Sequence, residues 1–267
     1  MKILVISDLH SNARGVQAIW ERESDADRIY MAGDLVDYGP EPMASIDWVR
    51  DHGVHCVRGN HDDRLIRVWQ SGEYANLPPE QTAWVHHNCR LLTQSYVDAL
   101  SALPTHLSFE ADGIAYLMTH RYGDAYQTIE SRYHFDKYWE AHFDLPGCQG
   151  YPRRMIFGHS HRQQIMSFGK DALWLNPGSA SYRRPDEPSK DAFYAVIQDG
   201  EIDLRHVPYP REALYAEAVR MRPNMMEDEW RVADFFFGWQ EEDGPDYPWL
   251  ELLAERRKKG IVPPGRC

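Results

Sequence analysis

The chain has 267 residues, 43% of them hydrophobic, enough for a sizeable core and too apolar for a disordered segment. Its net charge of -12, from 29 basic and 41 acidic residues, argues against an extended nucleic-acid surface, which needs a basic face. It leaves phosphorylated small molecules open, because a bound cation supplies positive charge locally.

In chain order, "KILVIS" reads as a strand, "ARGVQAIWERE" as a helix with Val16, Ile19 and Trp20 on one face, and "RIYMAG" as a second strand. "MASIDWVRD" is a second helix and "VHCVRG" a third strand. Strands alternating with helices imply a parallel sheet with right-handed crossovers. From 62 to about 103 the pattern is helical, with Pro78-Pro79 expected to start a helix through "EQTAWVHHNCRLL". Strands then dominate: "THLSFE", "IAYLMTH", "RMIFG", "QQIMSFG", "ALWLN", "AFYAVIQ" and "EIDLRHV". Ala111-Asp112-Gly113 reads as a turn, and the turns Gly169-Lys170-Asp171 and Asp199-Gly200 separate neighbours as in hairpins. One α/β domain with mixed sheets is expected over 1–208, with a mostly helical C-terminal extension, 209–267, packed on it.

The apolar run at the N-terminus ends at Asp8, too short for a secretory leader, and no stretch approaches a membrane span. Cys56, Cys89, Cys148 and Cys267 are scattered with no C-x-x-C pair, so a reduced, cytoplasmic chain is expected. The sequence gives no oligomeric state.

Five strands end in a possible metal ligand. The first ends at Asp8, with His10 two residues later; the second at Asp34; the third at Asn60, followed by His61; another at His120; and "RMIFG" at His159, with His161 two later. Ligands of open α/β sheets sit beyond the carboxyl ends of strands. Glycine precedes Asp34, Asn60 and His159, where it permits unusual φ or close backbone approach. Carboxylates, imidazoles and one amide without a thiolate suit Mn, Fe or Zn. Seven candidates are too many for one tetrahedral ion and suit a pair sharing a carboxylate, which clamps a phosphoryl group and generates a hydroxide nucleophile from a bridging water.

These motifs, D-x-H, G-D-x-x-D (Asp34, Asp37), G-N-H-D (Asn60, His61, Asp62), a lone His and G-H-x-H, stand in an order that resembles the calcineurin-like metallophosphoesterases. The later "LNPGSASYRRP" is similar to the small bacterial phosphodiesterase branch, which includes diadenosine-tetraphosphatase-like enzymes; the resemblance covers about 1 to 208. It implies a four-layer α/β/β/α sandwich of two mixed sheets flanked by helices. It also implies two divalent metal ions, one held by Asp8, His10 and His161, the other by Asn60, His120 and His159, with Asp34 bridging. His61 is then the general acid at the leaving group and Asp37 orients its ring. The implied activity is metal-dependent hydrolysis of a phosphodiester or phosphoanhydride bond in a small nucleotide-type substrate. A phosphomonoesterase and a non-catalytic scaffold are the alternatives. Tyr38 stands where the phosphoprotein-phosphatase branch carries an arginine, and Arg121 follows His120 where the phosphodiesterase branch often has a small residue. Arg121 is therefore a candidate phosphate ligand, followed by Arg162, Arg183 and Arg184.

Among other features, Asn12 is expected to cap the first helix. Asp62 is either a support for the site or an acid at a helix N-terminus. His86 and His87 read as a surface pair, and "DFFFGW", Tyr247 and Trp249 as aromatics that dock the extension rather than stack a base.

Overall fold

The computed structural model describes residues 1–123, 128–181 and 189–237. Ten strands form two five-stranded sheets. In the first, β1 (Lys2–Ile6) is flanked in parallel by β2 (Arg28–Met31), which pairs with the two-residue β3 (His55–Cys56). On its other side run antiparallel β9 (Ala192–Gln198) and β10 (Glu201–Val207), giving the order β10-β9-β1-β2-β3. The second sheet holds β4 (His106–Ala111), β5 (Ile114–Thr119), β6 (Arg153–Ile156), β7 (Gln163–Ser167) and β8 (Ala172–Pro177), in the order β4-β5-β6-β8-β7. β5, β6 and β8 are parallel neighbours, and β4 and β7 are antiparallel edges. Two of the three expected turns place an aspartate and a glycine at φ > 0 in succession, Asp112-Gly113 and Asp199-Gly200, as a type I′ turn requires.

The side-chain period of two in a strand divides β1 between two cores. Ile3 and Val5 face the second sheet, meeting Phe109, Tyr116, Met118, Ile156 and Leu175. Leu4 and Ile6 face helices α1 (Ala13–Glu23), α2 (Pro42–Asp51) and α3 (Asn60–Ser71). On the far side of the second sheet, Leu117, Met155 and Trp174 are covered by Phe135 and Trp139 of α6 (Arg132–His142). The result is the expected four-layer α/β/β/α sandwich. Helices α4 (Trp84–Leu91) and α5 (Gln94–Ala102) join the first helical layer, as do α7 (Glu212–Met221) and α8 (Glu227–Phe237). Leu214, Ala218, Trp230, Phe236 and Phe237 of that final stretch lie in the same apolar cluster as Leu4. Among the described residues no helix is long and apolar enough to cross a membrane.

Two local expectations are corrected. Pro78-Pro79 starts only a 3-10 turn, Pro79–Gln81; Thr82 and Ala83 then turn extended, and α4 begins at Trp84. Thr82 sits at φ -84° and ψ 120°, outside the helical region, and its carbonyl receives Met226 N at 2.9 Å in place of a helical partner. His86 and His87 are not a surface pair: both are half-buried, and His86 Nδ1 accepts from Ala83 N at 2.9 Å, capping α4. Burial lowers the His87 imidazole to about 4.

Candidate metal centre

The carboxyl ends of β1, β2, β3, β5 and β6 point to one place, where the two sheets meet. The loops leaving them are sharply bent. Of the ten non-glycine residues at positive φ among the described residues, eight are Asp8, His10, Ser11, Asp34, Asp37, Tyr38, His159 and His161. A left-handed conformation costs on the order of 1 kcal/mol at a residue with a Cβ. Its concentration on the motif residues shows that the tertiary structure holds these side chains against local preference.

Glycines make the bends possible mostly by their size. Only Gly33, of the three that precede candidate ligands, has positive φ, at 89°. Gly59 sits at φ -97°, where any residue is comfortable, but a Cβ there would run into the Asp34 carboxylate and backbone nitrogen. A Cβ on Gly158 would strike Ser7 Oγ and crowd Asp8 Oδ2. Gly59→Ala is therefore expected to lower the melting temperature, by about 2–4 °C for each of the roughly 1–3 kcal/mol that overpacking costs, and to weaken metal binding. Thermal denaturation with and without Mn²⁺ measures both; an unchanged variant would show that the Asp34 loop yields freely.

Six residues assemble as two triads, Asp8 with His10 and His161, and Asp34 with His120 and His159. Within each, one potential ligand atom per residue lies within 4.8 Å of the others. His161 Nε2 is 3.2 Å from Asp8 Oδ1 and 3.2 Å from His10 Nε2. Asn60 Oδ1 is 2.9 Å from His120 Nε2, so the amide joins the second group. Asp34 Oδ2 lies 3.1 Å from His120 Nε2 and 4.0 Å from His10 Nε2, between the two triads. His120 Nδ1 donates to the Ala32 carbonyl at 2.7 Å, which fixes the tautomer and turns Nε2 inward.

The donor set fits cations. Asp8, Asp34, Asp37 and Asp62 are all buried at 1% exposure or less, and buried charges require partners. Asp34 Oδ2 and His10 Nδ1 are buried with no hydrogen-bond partner among the described residues, although Oδ2 has a nitrogen 3.1 Å away. Burial lowers His10 to about 3 and His159 to about 4, so both rings are neutral and can lend a lone pair near neutral pH. His120 goes the other way: burial opposes its charge, yet the Asp34 carboxylate lifts it to about 9. Without a cation, a proton on His120 balances Asp34. Burial and the same Asp34 charge push Asp62 up to about 6.

A second arrangement stands beside the triads. His61 Nδ1 is 2.9 Å from Asp37 Oδ2, which also receives Arg64 Nη1 at 3.0 Å. Burial disfavours charge on His61, but Asp34 and Asp37 outweigh it and raise its pKa. The His61 backbone N–H donates to Asp34 Oδ1 at 2.8 Å.

The supports come from distant sequence. Asp62 accepts from the backbone N–H groups of Gly59, Asp34, Leu35 and Val36 at 2.8–3.3 Å, tying the β2 loop to the start of α3. It is thus both a support and a first-turn acid of α3. Asn12 caps α1 through Gly15 N, 3.1 Å, and also reaches Tyr209 OH, 3.0 Å. In the N-P-G-S stretch, Asn176 Nδ2 donates to the Gly158 carbonyl, 2.6 Å, and Ser179 Oγ to the Asp8 carbonyl, 2.9 Å. Sequence reading missed three residues. Arg64, three after His61 in the helix, could have been found by that spacing. Asn88, whose Oδ1 accepts from Asp37 N at 2.9 Å, carries no local signal, and nothing in "DFFFGW" marks Phe236 as a neighbour of His10, their ring centroids 5.7 Å apart. Phe236 and Phe237 are buried, so these two aromatics pack rather than await a base. Tyr247, Trp249, Arg183 and Arg184 lie outside the described residues; Arg162 is exposed.

Comparison with known proteins agrees with this geometry. The chain is 24% identical over 254 residues to an uncharacterized protein of Methanocaldococcus jannaschii, covering 88% of this chain and 98% of that one. It is 32% identical over 78 residues to a symmetrical bis(5'-nucleosyl)-tetraphosphatase of Pseudomonas putida, a match spanning only 27% of each chain. A crystal structure of a metallophosphoesterase from Sphaerobacter thermophilus superposes with a TM-score of 0.65 at 21% identity, over 90% of this chain and all of that one. A hypothetical protein from Pyrococcus horikoshii superposes with a TM-score of 0.68 at 14% identity, over 90% and 99% of the two chains. Residues 1–199 match the model of the calcineurin-like phosphoesterase superfamily domain, and the chain belongs to that superfamily.

Proposed function

We propose that the protein is a dinuclear-metal phosphohydrolase that cleaves a phosphodiester or phosphoanhydride bond in a small nucleotide-type substrate. The observation that carries this reading is the His61–Asp37 pair, 2.9 Å apart, set beside two ligand triads that share the neighbourhood of Asp34. Asp8, His10 and His161 would hold one ion and Asn60, His120 and His159 the other, with Asp34 shared between them. Mn, Fe and Zn suit these nitrogen and oxygen donors. Two bound ions supply Lewis-acid charge to the phosphoryl oxygens and lower the pKa of the attacking water.

The chain's own residues do the rest. His61 delivers a proton to the leaving-group oxygen, and the Asp37 carboxylate on its Nδ1 stabilises the protonated ring. Asp37 fixes the ring through Nδ1, leaving Nε2 to face the substrate, and Arg64 holds Asp37 in place. The nucleotide-type substrate is supported by the partial likeness to the tetraphosphatase, and by Tyr38 standing where a phosphoprotein phosphatase has its arginine. The buried free thiols of Cys56 and Cys89 support a cytoplasmic setting.

Titration of metal-free protein with Mn²⁺ tests the centre. Two ions per chain are expected, with a melting temperature that rises with free metal because the ions bind only the folded state and relieve the buried carboxylates. A nucleotide and phosphoester screen on the loaded protein tests the chemistry. One ion per chain at saturation, or no turnover of any phosphoester, would sink the reading.

A further inference from the structure

Next to Asn60 the surface opens into a cleft of about 620 Å³, within the usual range of ligand sites. Four arginines line it, Arg58, Arg64, Arg67 and Arg121, against a single carboxylate, Asp63. In a chain of net charge -12 this is a local reversal of sign. It arises from helical spacing. Asn60, Arg64 and Arg67 are at i, i+4 and i+7 of α3 and share one face. The row of guanidiniums thus starts at the candidate metal ligand and runs about 10 Å along the helix. Arg121 comes from the other sheet, one residue beyond His120 at the end of β5.

The four arginines differ in their duties. Arg58 is consumed by structure: its Nε donates to Asp63 at 2.6 Å and its Nη1 to the Ser101 carbonyl at 2.9 Å. That pairing also neutralises the cleft's one carboxylate. Arg64 steadies Asp37. Arg67 is exposed, its Nε on the Asp63 carbonyl at a long 3.3 Å, and Arg121 is half-buried at the mouth next to the metal centre. Guanidinium forks match phosphate oxygens two at a time, and a row of them leading away from a phosphoryl-binding centre matches a chain of phosphates better than an isolated one.

We propose that this cleft is a subsite for the non-reacting phosphates of the substrate, with Arg67 and Arg121 as their contacts. The proposal rests on the phosphohydrolase reading above and narrows it: the preferred substrate carries two or more linked phosphates, and a diester with one phosphate uses only the metal centre.

The test compares wild type with the Arg67→Gln/Arg121→Gln double variant. The first measurement is the ratio of kcat/KM on diadenosine tetraphosphate to that on bis(4-nitrophenyl) phosphate. It is expected to fall about ten- to a hundredfold, the scale for losing one or two charge-assisted contacts. An unchanged ratio overturns the proposal, including the case where both substrates lose equally, because the arginines would then act on the reacting group or the metals. The second measurement is calorimetric titration of the Mn²⁺-loaded proteins with inorganic tripolyphosphate in excess Mn²⁺. Binding at least about tenfold weaker in the variant supports the subsite, and equal binding overturns it. If wild type hydrolyses neither compound, the nucleotide and phosphoester screen decides the phosphohydrolase reading and the tripolyphosphate result alone decides the subsite. Matching circular dichroism and melting temperatures confirm that the variant is folded.

Discussion

Asp34→Asn is expected to be among the most damaging single substitutions in the protein. Oδ2 of Asp34 lies between the two triads, 3.1 Å from His120 Nε2 and 4.0 Å from His10 Nε2. Its charge is what two neighbouring cations would share. The amide keeps the shape and one oxygen but removes that negative charge, and an NH₂ group turned toward a cation repels it. Losing the pair forfeits several kcal/mol of charge stabilisation in the transition state, so kcat/KM should fall by about 10³-fold or more. Metal content should fall in parallel, to one ion per chain or fewer, by elemental analysis. The same change also alters His120: with the carboxylate gone, the charge that lifts this imidazole to about 9 is lost, and the ring becomes easier to deprotonate. A fully loaded, fully active Asp34→Asn variant would mean that Asp34 is not a bridge.

His61→Ala is expected to separate catalysis from metal binding. The ring lies close to both triads but its Nδ1 is committed to Asp37 at 2.9 Å, and only its backbone N–H touches Asp34. Truncation leaves that backbone contact in place. Both ions should therefore remain, while kcat drops by about 10²–10⁴, the usual contribution of a general acid. The loss should shrink for substrates with a good leaving group such as 4-nitrophenolate, which needs little protonation, and be full for alkyl leaving groups. Asp37→Asn should lower kcat in the same direction by less, because it weakens the orientation of the ring and leaves the ring itself. If His61→Ala empties a site and residual activity merely follows the remaining metal, His61 belongs to the metal centre instead.

Strand and helix alternation, the order of the motifs and the six residues that gather in the two triads were legible in the amino-acid sequence. Period-two and period-3.6 patterns record which face each element buries, and that is a local property. The positions of Asp8, Asp34, His120 and His159 just beyond strands were legible for the same reason, that an apolar run stopping at a polar residue marks the end of a buried strand, whereas Asn60 opens α3, beyond the two-residue β3. α4 starts later than the sequence implies because the Thr82 carbonyl is taken by Met226 N, far away along the chain. The glycines were read correctly as necessary, but at Gly59 and Gly158 the reason is the nearness of Asp34 and Asp8, not the backbone angle. Which residues face each other across the two sheets was settled by packing alone. Packing set the sheet orders, brought Asn88 to Asp37 and Phe236 to His10, and put Arg121, from the loop after β5, in one cleft with Arg67 of α3. These juxtapositions come from how strand order and layer stacking bring distant segments together, and no pattern within a single segment encodes them.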